Sequence, residues 1–243
     1  MRCSSTCYNE SMISGTAFIY SVIAGLLPSL IWLFFWIRED KEHAEPRYLL
    51  VGTFFAGMLS VIAAVFAEKY IADIVADESL RYALWAAVEE IFKFAAVALV
   101  ALKTASNDEP IDAMIYCIVV ALGFAAVENA LFAMGPLSDG SIAESIVRVN
   151  LRFIGATLVH MVSTGMIGFA LGMVFYRGHI AKIAATLAGL AAAIVLHAGF
   201  NLSIINADGT DTLRTFAWVW ATVIILIVMF EEVKAVRPKI LKI

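Results

Sequence analysis

Eight residues carry the chemical interest of this sequence, and they fall within a stretch of little more than a hundred positions. Glu89, Glu90 and Lys93 lie in WAAVEEIFKF, Glu128 and Asn129 in GFAAVENALF, His160 in LVHMVSTGMIG, and His197 and Asn201 in VLHAGFNLS. All four segments are otherwise apolar. A carboxylate in such surroundings gains proton affinity and suits a general base that activates water. A second carboxylate or a histidine can hold that water or a metal. A histidine and an asparagine amide can donate to a developing oxyanion. Glutamate and histidine ligands also suit zinc, with Glu90, Glu128, His160 and His197 as candidates, although no HExxH spacing occurs. Ser163 and Ser203 flank the histidines without a nucleophile-elbow motif, so serine catalysis is the weaker chemistry.

Each residue also has a plain structural explanation. Glu89 and Lys93 stand four apart and can form an ion pair along one helix face. His197 and Asn201, also four apart, can serve as interhelical hydrogen-bond glue. Two adjacent glutamates within an apolar helix exceed what glue requires. Ionisable groups in hydrocarbon cost about 2.5–3.5 kcal/mol each on insertion scales, and those that persist usually face the bundle interior and mark function.

The elements that carry these residues must cross a membrane. Of 243 residues, 62% are hydrophobic and 16% charged, and the mean hydropathy is +0.88. A soluble domain usually carries about a quarter charged residues. The apolar residues fall into seven blocks, at 12–36, 48–67, 80–102, 111–134, 147–176, 180–205 and 215–231. A hydrocarbon core of about 30 Å needs about 20 helical residues. The expected fold class is therefore all-α, a polytopic bundle of about seven transmembrane helices forming one domain over 1–243, with a catalytic core at about 80–205. Pro46, Pro110, Pro136 and Pro238 fall in connections or just past a block, and Pro28 falls inside the first and predicts a kink. The stretch 68–79 has Ile71, Ile74 and Val75 on one face and is expected to lie along the interface. The first block reads as a retained helix rather than a signal peptide.

The net charge of −4 is spread over short loops and offers no basic patch for nucleic acid. Cys117, in an apolar block, reads as a buried free thiol, while the spacing of Cys3 and Cys7 is no zinc or disulfide signature. Lys93 apart, ten basic residues collect on one side of the membrane and six on the other, among them Arg148 and Arg152 at the surface start of the fifth block. The bias places the N-terminus outside and the C-terminus in the cytoplasm of a multi-pass cell-membrane protein. At about 1.5 Å per residue, Glu90 and His160 then lie about 15–20 Å below the outer face, and Glu128 and His197 about 25 Å above the inner one. All four sit between the mid-plane and the outer face. Gly165, Gly168 and Gly172 recur near helical spacing and favour close helix packing.

In order, these motifs are EExxK (Glu89, Glu90, Lys93), FxxxE (Phe124, Glu128), a lone His160 and HxxxN (His197, Asn201). Over about residues 85–205 this set resembles the PrsW family of intramembrane proteases, related to the type II CAAX prenyl endopeptidases. Glu128 stands where the CAAX-type enzymes usually have histidine, which points to the PrsW branch. The resemblance implies that Glu89 and Glu90 activate water, that Glu128 and His160 complete the site, and that His197 and Asn201 stabilise the oxyanion. It also implies a membrane-anchored protein substrate, such as an anti-sigma factor clipped on its outer side. Zinc is compatible with it but not required by it. The competing readings are a proton-coupled transporter or channel, a receptor bundle and an inactive scaffold. The transporter reading expects matched helix breaks in two halves, which the sequence lacks. A retinal-binding receptor expects a mid-membrane lysine late in the chain, and the last block has none.

Overall fold

The structure is a computed structural model and describes residues 15–39, 44–138, 150–152, 155–205 and 209–238. Cys3, Cys7 and Arg148 lie outside them. Seven long helices account for most of the described residues, which contain no strand. They are α1 (Gly15–Glu39), α2 (Arg47–Ile74), α3 (Glu78–Val100), α4 (Asp112–Ser138), α5 (Ala156–Met173), α6 (His179–Ile205) and α7 (Gly209–Lys234). Six of the seven, all but α3, are long and apolar enough to cross a membrane. The 23 residues of α3 span about 34 Å at 1.5 Å per residue. It fails only on its charges, which point inward: Glu89, Glu90 and Lys93 are all buried.

Local chemistry sets the helix ends. Pro46 precedes the first turn of α2 with ψ at 124°, and its missing N–H costs nothing there. Asp77 caps α3, its carboxylate accepting from the Leu80 amide at 2.7 Å. Asp112 closes the turn into α4, with Oδ2 accepting from the amides of Asp108 at 2.8 Å and Glu109 at 2.6 Å. The α2 helix extends past its expected end: 28 residues run unbroken to Ile74. The interfacial helix expected over 68–79 is thus the last two turns of α2, then a short turn and the start of α3. A long helix costs less than breaking the backbone ladder near a bilayer. The fifth block, expected to be one helix from 147, has helical residues at 150–152 and begins its main run after Gly155.

The α4 helix is the axis of the bundle. Every residue from Ile111 to Ala126 is buried, as befits a helix apolar on all sides. It packs against α1, α2, α3 and α5, while α6 lies against α3 and α5, and α7 against α5 and α6. Backbones approach closely where side chains are absent. A Cβ on Gly57 would lie 2.0 Å from the Val120 carbonyl oxygen, and one on Gly123 2.0 Å from that of Phe54. A Cβ on Gly168 would sit 2.4 Å from the Met114 Cα. In lipid, where burying apolar surface gains little, such contacts hold helices together. Cys117 is buried within this core.

Candidate active site

The polar residues of four helices meet at the middle of α3, the first turns of α5 and the C-terminal halves of α4 and α6. Lys93, fully buried, is the hub. Its Nζ donates to Glu90 Oε1 at 2.5 Å and to His160 Nδ1 at 3.0 Å, lies 3.9 Å from Glu89 Oε2, and sits 4.8 Å from the centroid of the Phe124 ring. The expected Glu89–Lys93 pair is therefore secondary, because the ammonium is closer to Glu90.

Glu90 is saturated. Oε1 accepts from Lys93 and faces His197 Nδ1 at 2.8 Å, and Oε2 accepts from Thr164 Oγ1 at 2.8 Å. Three donors suit an ionised carboxylate. Glu90 is fully buried and lies behind the cavity rather than in its wall.

The histidine tautomers follow from their partners. An ammonium only donates, so His160 Nδ1 accepts and Nε2–H donates to Glu128 Oε2 at 2.6 Å. With Glu90 ionised, His197 Nδ1–H is the donor on that side, and Nε2 turns its lone pair toward Glu89 Oε2, 3.7 Å away. The rings stack edge to face, 4.8 Å between centroids.

Glu128 receives a second donor, Arg152, whose Nη2 lies 2.6 Å from Oε2 and whose Nε donates to Asn129 Oδ1 at 2.7 Å. Asn129 in turn donates to Thr157 Oγ1 at 2.9 Å. The guanidinium lies over the Phe132 ring at 3.9 Å. Glu128 and Asn129 are thereby tied to the start of the fifth span.

Within this cluster Glu89 differs from the rest. Its Oε2 is buried and receives no hydrogen bond from any neighbouring N–H or O–H donor in the described structure. A cavity of about 190 Å³ opens beside it, walled by Glu89, Glu128, Arg152, His160, His197 and Asn201 together with Phe132, Phe200 and Ile204. Of the site residues expected from sequence, Glu89, Glu128, His160, His197 and Asn201 line this cavity, and Glu90 stands one layer behind. Ser203 is turned away, its hydroxyl donating to the Gly199 carbonyl at 2.7 Å. Ser163 is buried without a hydrogen-bond partner and outside the cavity wall.

Three residues escaped the sequence reading. Arg152 was assigned only to the surface start of a span, although it stands eight positions, close to two turns, before His160. Thr164 is one turn after His160. Glu68, placed beyond the end of the second span, is half-buried on α2 and its backbone carbonyl accepts from Trp85 Nε1 at 3.0 Å. The signal for it was the spacing Val61–Ala64–Glu68, which keeps Glu68 on the buried face of α2.

Glu89, His160 and His197 each bring one ligand atom within 4.8 Å of the others. One carboxylate and two imidazoles form a donor set that zinc accepts. As held here they do not fit a divalent ion. His160 has Lys93 on Nδ1 and Glu128 on Nε2, and the Lys93 ammonium stands 3.9 Å from Glu89 Oε2. An ion at that point would meet a cation and would have to strip His160 of its partner. The set expected from sequence, with Glu90 and Glu128, fares no better, because both carboxylates are already occupied by cationic donors.

A helical bundle whose buried carboxylates and histidines face a cavity inside the membrane has the architecture of an intramembrane protease. Residues 45–229 match the PrsW family of intramembrane metalloproteases. The chain belongs to that family. It is 31% identical to Protease PrsW of Geobacillus kaustophilus over 136 residues, 54% of this chain and 60% of that protein. It is 22% identical to Protease PrsW of Bacillus subtilis over 183 residues, covering 74% of this chain and 80% of the relative. Protease PrsW of Oceanobacillus iheyensis is 27% identical over 181 residues, 73% of this chain and 80% of its own. No solved structure matches the chain.

Proposed function

We propose that the protein hydrolyses a peptide bond of a membrane-anchored protein, using water activated by Glu89. The observation that carries this reading is the Glu89 carboxylate, which lines the cavity while its Oε2 lacks a donor and lies 3.7 Å from a ring nitrogen of both His160 and His197. A water bound in the cavity donates to the Glu89 carboxylate and is oriented by the lone pair of His197 Nε2. Its oxygen attacks the scissile carbonyl carbon as its proton passes to Glu89. The Asn201 amide, in the cavity wall, donates to the oxyanion that forms. Glu89 then delivers the proton to the leaving amine and the C–N bond breaks. His197, held by Glu90 through Nδ1, orients the water in this scheme rather than donating to the oxyanion. Glu90, Lys93 and Arg152 hold the histidines and Glu128.

The substrate is a protein with a membrane span, cut on the outer side of the mid-plane, with the N-terminus of the enzyme outside and its C-terminus in the cytoplasm. A membrane-bound anti-sigma factor fits that description. The catalytic core runs over about 80–205.

The test uses the purified protein in liposomes and a library of quenched-fluorescent peptides, each with one transmembrane segment and a randomised outer flank. Cleavage is expected for a subset. Glu89→Gln should lower it by at least about 10²-fold, the scale of a general base. Cleavage should survive 1,10-phenanthroline and EDTA. Failure to cut any peptide, or full cleavage by Glu89→Gln, overturns the reading. Loss of cleavage with chelator, restored by zinc, overturns the metal-free mechanism.

A further inference from the structure

The cavity beside Glu89 uses the first turns of α5, and a second cavity opens at the other end of that helix. Gly172 lets the last turn of α5 meet α7 there, since a Cβ on it would lie 2.6 Å from Val233 Cγ1. Next to this contact is a hollow of about 570 Å³, walled by Met173, Tyr176 and Arg177 from one segment and by Val236, Arg237 and Pro238 from the other. Its size is that of a small-molecule site. The turn after α5 places Arg177, whose amide donates to the Val174 carbonyl at 2.8 Å. Arg237 is anchored through Nη1, which donates to the carbonyls of Lys234 at 2.7 Å and Val236 at 3.1 Å. That contact satisfies the end of α7. It leaves Nε and Nη2 of the five-donor guanidinium for another acceptor.

Basic residues at a membrane face need no ligand, because they also set topology. These two differ from their neighbours. Lys234 pairs with Glu231 at 3.0 Å, and Lys182 sits over the Phe175 ring at 4.9 Å. Among the described residues no carboxylate forms an ion pair with Arg177 or Arg237, and none lines the hollow. Sixty positions apart in the chain, the two cations are gathered in one wall without a counter-charge, an arrangement that attracts an anion. We propose that this cavity binds the headgroup phosphate of an anionic phospholipid from the leaflet at that face, the inner one in the orientation assigned above. Guanidinium groups match phosphate oxygens two donors at a time, and basic pockets between helices on the cytoplasmic side suit anionic headgroups. Met173, Val236 and Pro238 give the glycerol and the first acyl carbons an apolar wall, and the Tyr176 phenol is a further donor. A free phosphate shares the charge but gains nothing from that wall.

The experiment titrates the purified full-length protein in dodecyl maltoside micelles with phosphatidylglycerol, phosphatidylcholine or inorganic phosphate. Bound lipid is counted by native mass spectrometry, and the unfolding temperature is followed in parallel. Phosphatidylglycerol should fill one site per chain at least about tenfold more tightly than phosphatidylcholine, and should raise the unfolding temperature. Arg177→Gln and Arg237→Gln should each weaken that binding by about fivefold and the double variant by about 25-fold, the effect of one and two basic side chains at an anionic headgroup. Arg38→Gln, exposed at the same face and outside the cavity wall, should leave it unchanged within about twofold. Arg237 also ties down the end of α7, so Arg177→Gln, in an exposed turn, decides the outcome should Arg237→Gln fail to fold. Equal affinity for the two lipids, full binding by Arg177→Gln, or an equal loss in Arg38→Gln overturns the proposal. Inorganic phosphate that raises the unfolding temperature as much as phosphatidylglycerol, and blocks its binding, identifies a soluble phosphate as the ligand and overturns the lipid assignment.

Discussion

Replacing Lys93 with methionine removes the one ammonium inside the cluster at nearly constant volume, and the structure sets the size of the effect. Lys93 and Glu90 are both fully buried, 2.5 Å apart. At an effective dielectric of about 20, their attraction is about 6–7 kcal/mol, and that to Glu89 at 3.9 Å about 4 kcal/mol. Desolvating the ions costs several kcal/mol each, so the intact cluster gains little net stability. Removing one partner is a different matter, since it strands a buried charge at a cost of about 3–5 kcal/mol. Thr164 and His197 still donate to Glu90, which points to the lower end, about 3 kcal/mol. Adding Glu90→Gln to Lys93→Met removes the stranded charge and should recover about two-thirds of that loss. The assay is reversible unfolding of wild type and the three variants in mixed micelles with increasing SDS, combined as a double-mutant cycle. A Lys93→Met protein as stable as the wild type would refute the account of Lys93 as the buried counter-charge. A double variant less stable than the single one would do the same.

Arg152→Lys keeps the charge but not the two-pronged contact with Glu128 and Asn129, so cleavage should fall about tenfold and stability by about 1 kcal/mol, read from initial rates and melting curves. Asn201→Ala should lower kcat by about 10²–10³-fold with unaltered folding if its amide serves the oxyanion, and a change below about threefold would remove that role. Gly168→Ala drives a methyl group into the α4 backbone beside Met114 and should destabilise the bundle by about 1–3 kcal/mol, measured in the same micelle titration. A reporter fused to the C-terminus should be active in the cytoplasm, and an exported signal there would reverse the assigned orientation.

The helix count, the membrane class and the convergence of Glu89, Glu128, His160 and His197 were all legible from residue type, spacing and depth. Those features depend on local periodicity and on the cost of charge in hydrocarbon, both of which a sequence displays directly. The pairing inside the cluster was not legible. Spacing made Glu89 and Lys93 partners, but the lysine side chain folds back to Glu90 at i−3 and crosses to His160 on another helix. Nothing along the chain tells which of two adjacent glutamates faces a cavity and which is saturated by donors. Glu68 and Arg152 escaped for a related reason. Both sit near span ends, where a charged residue is read as the start of solvent, although α2 continues and the guanidinium turns inward.

The charges of α3 bear on how the protein is made. This helix, unlike its six neighbours, lacks the apolar character for stable insertion on its own, since each centrally placed charge costs about 2.5–3.5 kcal/mol at the translocon. The α2–α3 connection leaves only a few residues between a strongly apolar helix and this reluctant one, so α3 enters the bilayer as the second arm of a hairpin. It becomes tolerable there once α4, α5 and α6 supply partners for Lys93 and the glutamates. Biogenesis is thus coupled to completion of the bundle: an unassembled chain shows lipid the charged groups that a finished one buries among partners.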